Sequence, residues 1–89
     1  MRILVLGAGA REHAICWKLK QSPIVAKIFC GPGNAGIEDS AELVDIIPSD
    51  PKSVISFVLR ERIDLVVVGP EGPLVAGIAD ALEKERIPV

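Results

Sequence analysis

Aromatic side chains are scarce in this 89-residue chain: two phenylalanines, one tryptophan and no tyrosine make up 3% of it. A chain of this length forms one small domain, which buries only about 60% of the surface that its unfolded form exposes. Its core must therefore be dense, and the 49% of hydrophobic residues must fill it mainly with Val, Ile, Leu and Ala. This composition favours a sheet of β-branched strands covered by helices.

The chain also lacks a strong excess of either charge and has no long apolar run. Ten basic and 12 acidic residues give a formal net charge of −2. The sequence therefore lacks the excess of basic residues that is typical of a nucleic-acid-binding protein. No apolar run approaches the ~18 residues of a membrane span, and the run after Arg2 is too short for a secretory signal. We therefore expect no nucleic-acid or membrane partner, and a cytoplasmic location by default.

Cysteine occurs only twice. Cys16 lies within a helical pattern, and Cys30 lies at the end of an apolar strand pattern. We expect two reduced, buried thiols that act as small hydrophobic side chains. Their spacing matches no metal-ligand motif, so no metal site is predicted in this chain.

Short aliphatic runs alternate with helical periodicity along the whole sequence. The strands are predicted at residues 3–6, 25–30, 43–47 and 64–68, with the start of a fifth at 87–89. The helices are predicted at residues 12–21, after the Asp50-Pro51 N-cap pair, and from near Pro73. The apolar side chains predicted to face the core from these helices are Ala14, Ile15, Trp17 and Leu19, then Val54, Ile55, Val58 and Leu59, then Leu74, Val75, Ile78, Ala79 and Leu82.

This order of elements predicts an α/β, Rossmann-like fold of three layers, in which helices cover both faces of a parallel sheet. Right-handed crossovers favour the strand order 3-2-1-4, with strand 5 outside strand 4. Because the sequence stops on the first residues of a strand, we expect residues 1–89 to be the N-terminal domain of a longer protein, cut in strand 5. Ligands of such sheets bind at the carboxyl ends of the strands, around the switch point between strands 1 and 4.

The loop after the first strand, residues 7–13, reads Gly-Ala-Gly-Ala-Arg-Glu-His. Its glycines allow a sharp turn and close ligand approach, and the helix that follows offers free N–H groups to an anion. Arg11 can pair with a phosphate, and His13 lies in the first helical turn. The loop resembles a dinucleotide-binding turn, but Glu12 replaces its third glycine, and Cys30-Gly31 replace the acidic residue after strand 2. A nicotinamide-binding oxidoreductase domain and a purely structural turn remain alternatives.

Two more loops at the same predicted edge contain unusual residues. Residues 31–36, Gly-Pro-Gly-Asn-Ala-Gly, predict a fixed backbone shape with close ligand approach, although a plain connector is the alternative. Residues 69–73, Gly-Pro-Glu-Gly-Pro, place Glu71 at the switch point. A carboxylate there can accept hydrogen bonds from ribose hydroxyls or an amine, or it can simply favour the start of the next helix.

Together the three loops resemble the N-terminal domain of the glycinamide ribonucleotide synthetase family over essentially the whole chain. That family carries a Gly-x-Gly-Gly-Arg-Glu-His-Ala turn, a Pro-Gly-Asn-Ala-Gly loop and a strand that ends in Val-Gly-Pro-Glu-x-Pro-Leu. The matching residues here are 7–14, 32–36 and 68–74. Ala10 departs from the pattern, because the family usually has glycine there, and a β-carbon disfavours a positive φ or a very close ligand.

The resemblance implies an ATP-grasp ligase of purine biosynthesis that joins glycine to 5-phosphoribosylamine and converts ATP to ADP and phosphate. ATP and Mg²⁺ (or Mn²⁺) would bind mainly to later domains of the same chain, on which this domain packs. The domain would be inactive alone, with no catalytic or metal-binding residue, and would position the phosphoribosyl substrate. A scaffolding domain without its own ligand is the remaining alternative. The implied substrate-binding residues are Gly7, Gly9, Ala10, Arg11, His13, Pro32, Gly33, Asn34 and Glu71.

Overall fold

The computed structural model describes residues 1–48, 50–68 and 73–89. Its elements, in chain order, are β1 (Arg2–Gly7), α1 (Ala10–Lys20), β2 (Lys27–Pro32), a 3₁₀ helix (Ala35–Asp39), β3 (Glu42–Leu43), α2 (Pro51–Arg60), β4 (Leu65–Val68) and α3 (Pro73–Lys84). The strands form one parallel sheet in the order β3-β2-β1-β4. The predicted α/β fold and strand order are confirmed.

The core consists of two clusters, one on each face of the sheet, because strand side chains alternate between the faces. Leu4, Leu6 and Phe29 pack with buried side chains of α2 and α3. Ile3 and Val5 face the opposite way, into a cluster that includes residues of α1 and the 3₁₀ helix. The predicted three layers are therefore present, with α2 and α3 on one face and α1 on the other.

Three apolar side chains that were expected to face the core lie on the surface instead, namely Ala14, Trp17 and Leu59. Trp17 is 58% exposed, and Cys16 beside it is fully buried. Leu59 is 60% exposed, while Phe57 is buried and meets Phe29 edge to face at 5.2 Å between ring centroids. Adjacent helical residues point about 100° apart, so the face that buries residue 16 or 58 turns the next residue towards solvent.

The third strand is shorter than predicted. Val44 N–H still donates to Cys30 O (2.9 Å), but Ile46 N–H then donates back to Val44 O (3.0 Å). This bond between residues two apart closes a tight turn, which bends the chain away from β2. The predicted strand 43–47 therefore provides one residue of a two-residue strand, Leu43 after Glu42, and Ile46 packs into the core.

Residues 87–89 carry no strand assignment, although their position fits the predicted fifth strand. Val66 N–H donates to Pro88 O (3.0 Å), so this segment lies alongside β4. Pro88 has no N–H with which to return a bond. Among the described helices, none is long and apolar enough to cross a membrane.

Candidate functional site at the carboxyl edge of the sheet

The strand register brings the ends of β1, β2 and β4 to one edge of the sheet. Gly7 pairs with Pro32 on one side of β1, and Leu6 pairs with Val68 on the other. The loops after β1 and β2 therefore begin side by side; we call residues 7–9 and 33–36 the loop pair. The chain continues from Val68 into residues 69–72, and Glu71, the predicted ligand of a ribose or amine, lies outside the described residues.

The Asn34 side chain fastens the two loops to each other. Its Nδ2 donates to Ala8 O (2.5 Å), and its Oδ1 accepts from Gly36 N–H (2.9 Å) at the start of the 3₁₀ helix. Gly33 N–H donates to Gly7 O (2.9 Å), which adds a backbone bond between the loops. Sequence reasoning proposed Asn34 as a substrate contact; in the structure, its amide uses one donor and one acceptor to shape the loop pair.

Two glycines of the loop pair are required by their backbone conformation. Gly7 has φ +135° and Gly33 has φ +70°, both in the region that side chains disfavour. A β-carbon on Gly7 would overlap the Glu12 carboxylate, and one on Gly33 would lie 2.5 Å from Leu43 Cδ2. Close packing within the protein thus explains both positions.

The alanine that departs from the family pattern fits without strain. Ala10 is the first residue of α1, and it is not among the residues with positive φ. Gly9 before it is the N-cap in extended conformation, with φ −98°. A side chain at position 10 therefore does not require the left-handed conformation that sequence reasoning considered there.

Glu12 lies beneath the first loop and is only 5% exposed. Its Oε2 accepts from Gly9 N–H (3.2 Å), three residues earlier in the sequence. This is the return bond of a capping box, and the Glu at the third helical position was its signal in the sequence. Dinucleotide-binding turns have glycine at this position so that the helix can pack closely on the strand. The carboxylate fills that space here, which disfavours the nicotinamide alternative.

The two basic candidates of the first helical turn differ in their surroundings. Arg11 is exposed to solvent at the start of α1. His13 is half-buried, and a β-carbon on Gly36 would lie 3.4 Å from its ring, so the imidazole packs against the second loop. Pro32, at the end of β2, is exposed. The structure therefore brings these three candidates to the same edge as the loop pair.

Both cysteines lie directly under the loop pair, buried and not joined in a disulfide. The Cys30 thiol donates to Gly7 O (3.5 Å). The neighbouring Cys16 sulfur and burial raise the pKa of Cys30, so this thiol keeps its proton. The predicted reduced, buried thiols are confirmed. In the part of the chain that the structure describes, no group of three or more His, Cys, Asp or Glu side chains is placed to hold a metal ion.

Comparison with known proteins identifies the family. The chain matches, over residues 1–89, the family described as phosphoribosylglycinamide synthetase, N domain. It is 54% identical to the phosphoribosylamine–glycine ligase of Mesorhizobium japonicum, 52% to that of Brucella melitensis and 51% to that of Streptomyces coelicolor, each over 89 residues. Each match covers 100% of this chain and 21% of the relative, so the chain spans about a fifth of the length of these ligases. The chain belongs to the phosphoribosylglycinamide synthetase N-domain family.

Proposed function

We propose that this chain is the substrate-positioning domain of a phosphoribosylamine–glycine ligase. The whole enzyme would join the carboxyl group of glycine to the amine of 5-phosphoribosylamine and convert ATP to ADP and phosphate. The family match over all 89 residues carries the proposal. The meeting of both described family loops at the carboxyl edge, where α/β folds bind ligands, supports it.

The loop pair and the first turn of α1 suit a phosphoribosyl group. The first amides of a helix have no partner within the helix, so Ala10 and Arg11 can offer N–H groups to a phosphate. The exposed Arg11 guanidinium adds a charged donor beside them. We propose that Glu71, which follows β4 in the sequence, receives the ribose hydroxyls or the amine. Gly7, Gly9, His13, Pro32, Gly33 and Asn34 would complete the surroundings of the substrate.

ATP and its Mg²⁺ or Mn²⁺ would bind to the part of the enzyme that this chain does not include. The carboxyl group of glycine would be activated there as a glycyl phosphate, and the amine nitrogen would displace the phosphate. Positioning by this domain contributes because orienting two reactants lowers the entropic part of the barrier. We place the enzyme in the cytoplasm, with this domain packed on the ATP-grasp domains of the same chain.

The proposal is tested by assaying the full-length protein and its Glu71→Gln variant. We expect the wild type to form ADP only when both glycine and phosphoribosylamine are present. The variant should raise KM for phosphoribosylamine by roughly tenfold or more, because a charge-assisted hydrogen bond is worth about 1.5–3 kcal/mol. The KM for ATP should stay unchanged.

Glu83→Gln, an exposed position near the end of α3, is the matched control and should change neither KM. ADP formation that does not depend on phosphoribosylamine would refute the proposed function. Equal effects of Glu71→Gln on both Michaelis constants would mean that the substrate lies elsewhere.

A further inference from the structure

We propose that Glu12 is a positioning residue: it holds the first loop in the shape that receives the phosphoribosyl group. This inference rests on the proposed function and deepens it. Among the described residues, Glu12 is the one charged side chain that is buried, at 5% exposure. Buried carboxylates are costly unless they are hydrogen-bonded, so this position calls for a specific explanation.

The first contact of Glu12 is with the N-cap of α1. Gly9 N–H donates to Oε2 at 3.2 Å. Gly9 also accepts the first hydrogen bond of the helix, from His13 N–H to Gly9 O (3.1 Å). The orientation of Gly9 therefore determines where the helix begins and the direction in which the amides of its first turn point.

The second contact of Glu12 is with Gly7 at the end of β1. The carboxyl group occupies the space that a β-carbon on Gly7 would need, so side chain and backbone are in direct contact there. One carboxyl group thus touches both glycines of the turn, at its beginning and at its end.

The other contacts of the loop come from β2 and the loop that follows it. Gly7 O accepts from Gly33 N–H (2.9 Å), and Ala8 O accepts from Asn34 Nδ2 (2.5 Å). Three consecutive residues of the first loop are therefore held by hydrogen bonds. Gly7 and Ala8 are held by the second loop, and Gly9 is held by Glu12. Without Glu12, Gly9 would lose its acceptor, and nothing else described here holds its N–H group.

This arrangement predicts an effect on substrate binding that acts through the loop. A displacement of about 1 Å in positioning groups can reduce a rate a hundredfold, although those groups take no part in the chemistry. Because ATP is proposed to bind elsewhere, the effect should be confined to the phosphoribosylamine side of the reaction.

The test compares three variants of the full-length enzyme: Glu12→Ala, Glu12→Gln and Val54→Ala. Val54 is fully buried on α2, in the cluster on the other face of the sheet, and serves as the stability control. We expect Glu12→Ala to raise KM for phosphoribosylamine about tenfold or more and to leave KM for ATP unchanged. Glu12→Gln should recover most of this loss, because its side-chain oxygen can still accept from Gly9 N–H. Val54→Ala should lower the Tm without changing either KM.

Amide hydrogen exchange on the same proteins, without substrate, separates this inference from the proposed function. In Glu12→Ala the amide of Gly9, which loses its acceptor, and the amide of His13, which donates to Gly9 O, should exchange faster than in the wild type, and Val54→Ala should leave both protected. If the wild type lacked ligase activity but exchange were still faster in Glu12→Ala, the proposed function would be overturned and the role of Glu12 in the loop would stand. An active wild type whose Glu12→Ala variant keeps its KM and its exchange pattern would overturn the present inference. If Glu12→Ala and Val54→Ala changed each Michaelis constant by the same factor, Glu12 would contribute only to stability.

Discussion

At the scale of single residues, the turn after β1 depends on a glycine and a glutamate that fit each other. Gly7 provides the left-handed backbone and the space, and Glu12 fills that space with its carboxyl group. Sequence reasoning identified the glycine, because a glycine after an apolar strand is a strong signal of a turn. It recognised Glu12 only as a departure from the dinucleotide pattern, since the direction of its side chain depends on how α1 packs on β1.

Gly7→Ala should lower the free energy of unfolding, because it combines a strained φ with an overlap against Glu12. The strained backbone alone costs about 1–3 kcal/mol, and the overlap adds to that loss. Gly77→Ala is the matched control. Gly77 lies exposed within α3, and a β-carbon there would meet nothing within 4 Å. That change should stabilise the helix by about 0.5–1 kcal/mol. Equilibrium unfolding of both variants checks the pair, and equal signs for the two changes would contradict the geometry described here.

At the scale of elements, the sequence predicted the type and order of the strands and helices. It predicted only in part which side chains of each helix face the core. Apolar runs and the N-cap pair Asp50-Pro51 have local causes, and α2 begins at Pro51 as predicted. The surface position of Trp17 and the early end of β3 depend on tertiary packing, which overrides hydrophobicity. The link through Asn34 needs the register of Gly7 with Pro32, which no local pattern determines.

Asn34→Asp should separate the two tasks of this link. Aspartate keeps an oxygen that can accept from Gly36 N–H, but it has no N–H to donate to Ala8 O. We expect the 3₁₀ helix to keep its N-cap, while KM for phosphoribosylamine rises because the loops lose their side-chain bond and keep only the backbone bond from Gly33 N–H to Gly7 O. Asn34→Ala should raise the same KM and, because it also removes the N-cap bond from Gly36 N–H, should cost about 1 kcal/mol of stability. Steady-state kinetics and melting curves of the full-length enzyme distinguish the variants; an unchanged KM in both would show that the link does not affect binding.

The N-cap of α2 offers a contrasting prediction, because it lies outside the loop pair. Asp50 Oδ1 accepts from Lys52 N–H (3.1 Å), and Asp50→Ala removes that bond. The loss should be about 0.5–2 kcal/mol of stability. Neither Michaelis constant should change, since no candidate substrate contact depends on this helix end. A selective rise in KM for phosphoribosylamine would show that the kinetic effects are not confined to the loop pair and the first turn of α1.

At the scale of the whole molecule, the chain spans about a fifth of the length of its relatives, and we propose that it contributes one edge of its sheet as a substrate surface. We expect residues 1–89 alone to form no ADP from glycine, phosphoribosylamine and ATP, because the proposed ATP site lies in the rest of the enzyme. Adding the missing part as a separate chain should restore activity only if the two parts associate. Turnover by the isolated 89 residues would contradict this division of roles.

We propose that the loop pair and the first turn of α1 receive the phosphoribosyl group of the substrate. The most direct test is amide hydrogen exchange of the full-length enzyme with and without ribose 5-phosphate, a stable probe of that group. We predict slower amide exchange at residues 7–13 and 33–36, with no change in the surface lined by Lys20, Lys27 and Glu42 at the opposite edge of the sheet. Protection of the opposite edge, or an active enzyme whose two loops exchange equally fast with and without the probe, would contradict the account.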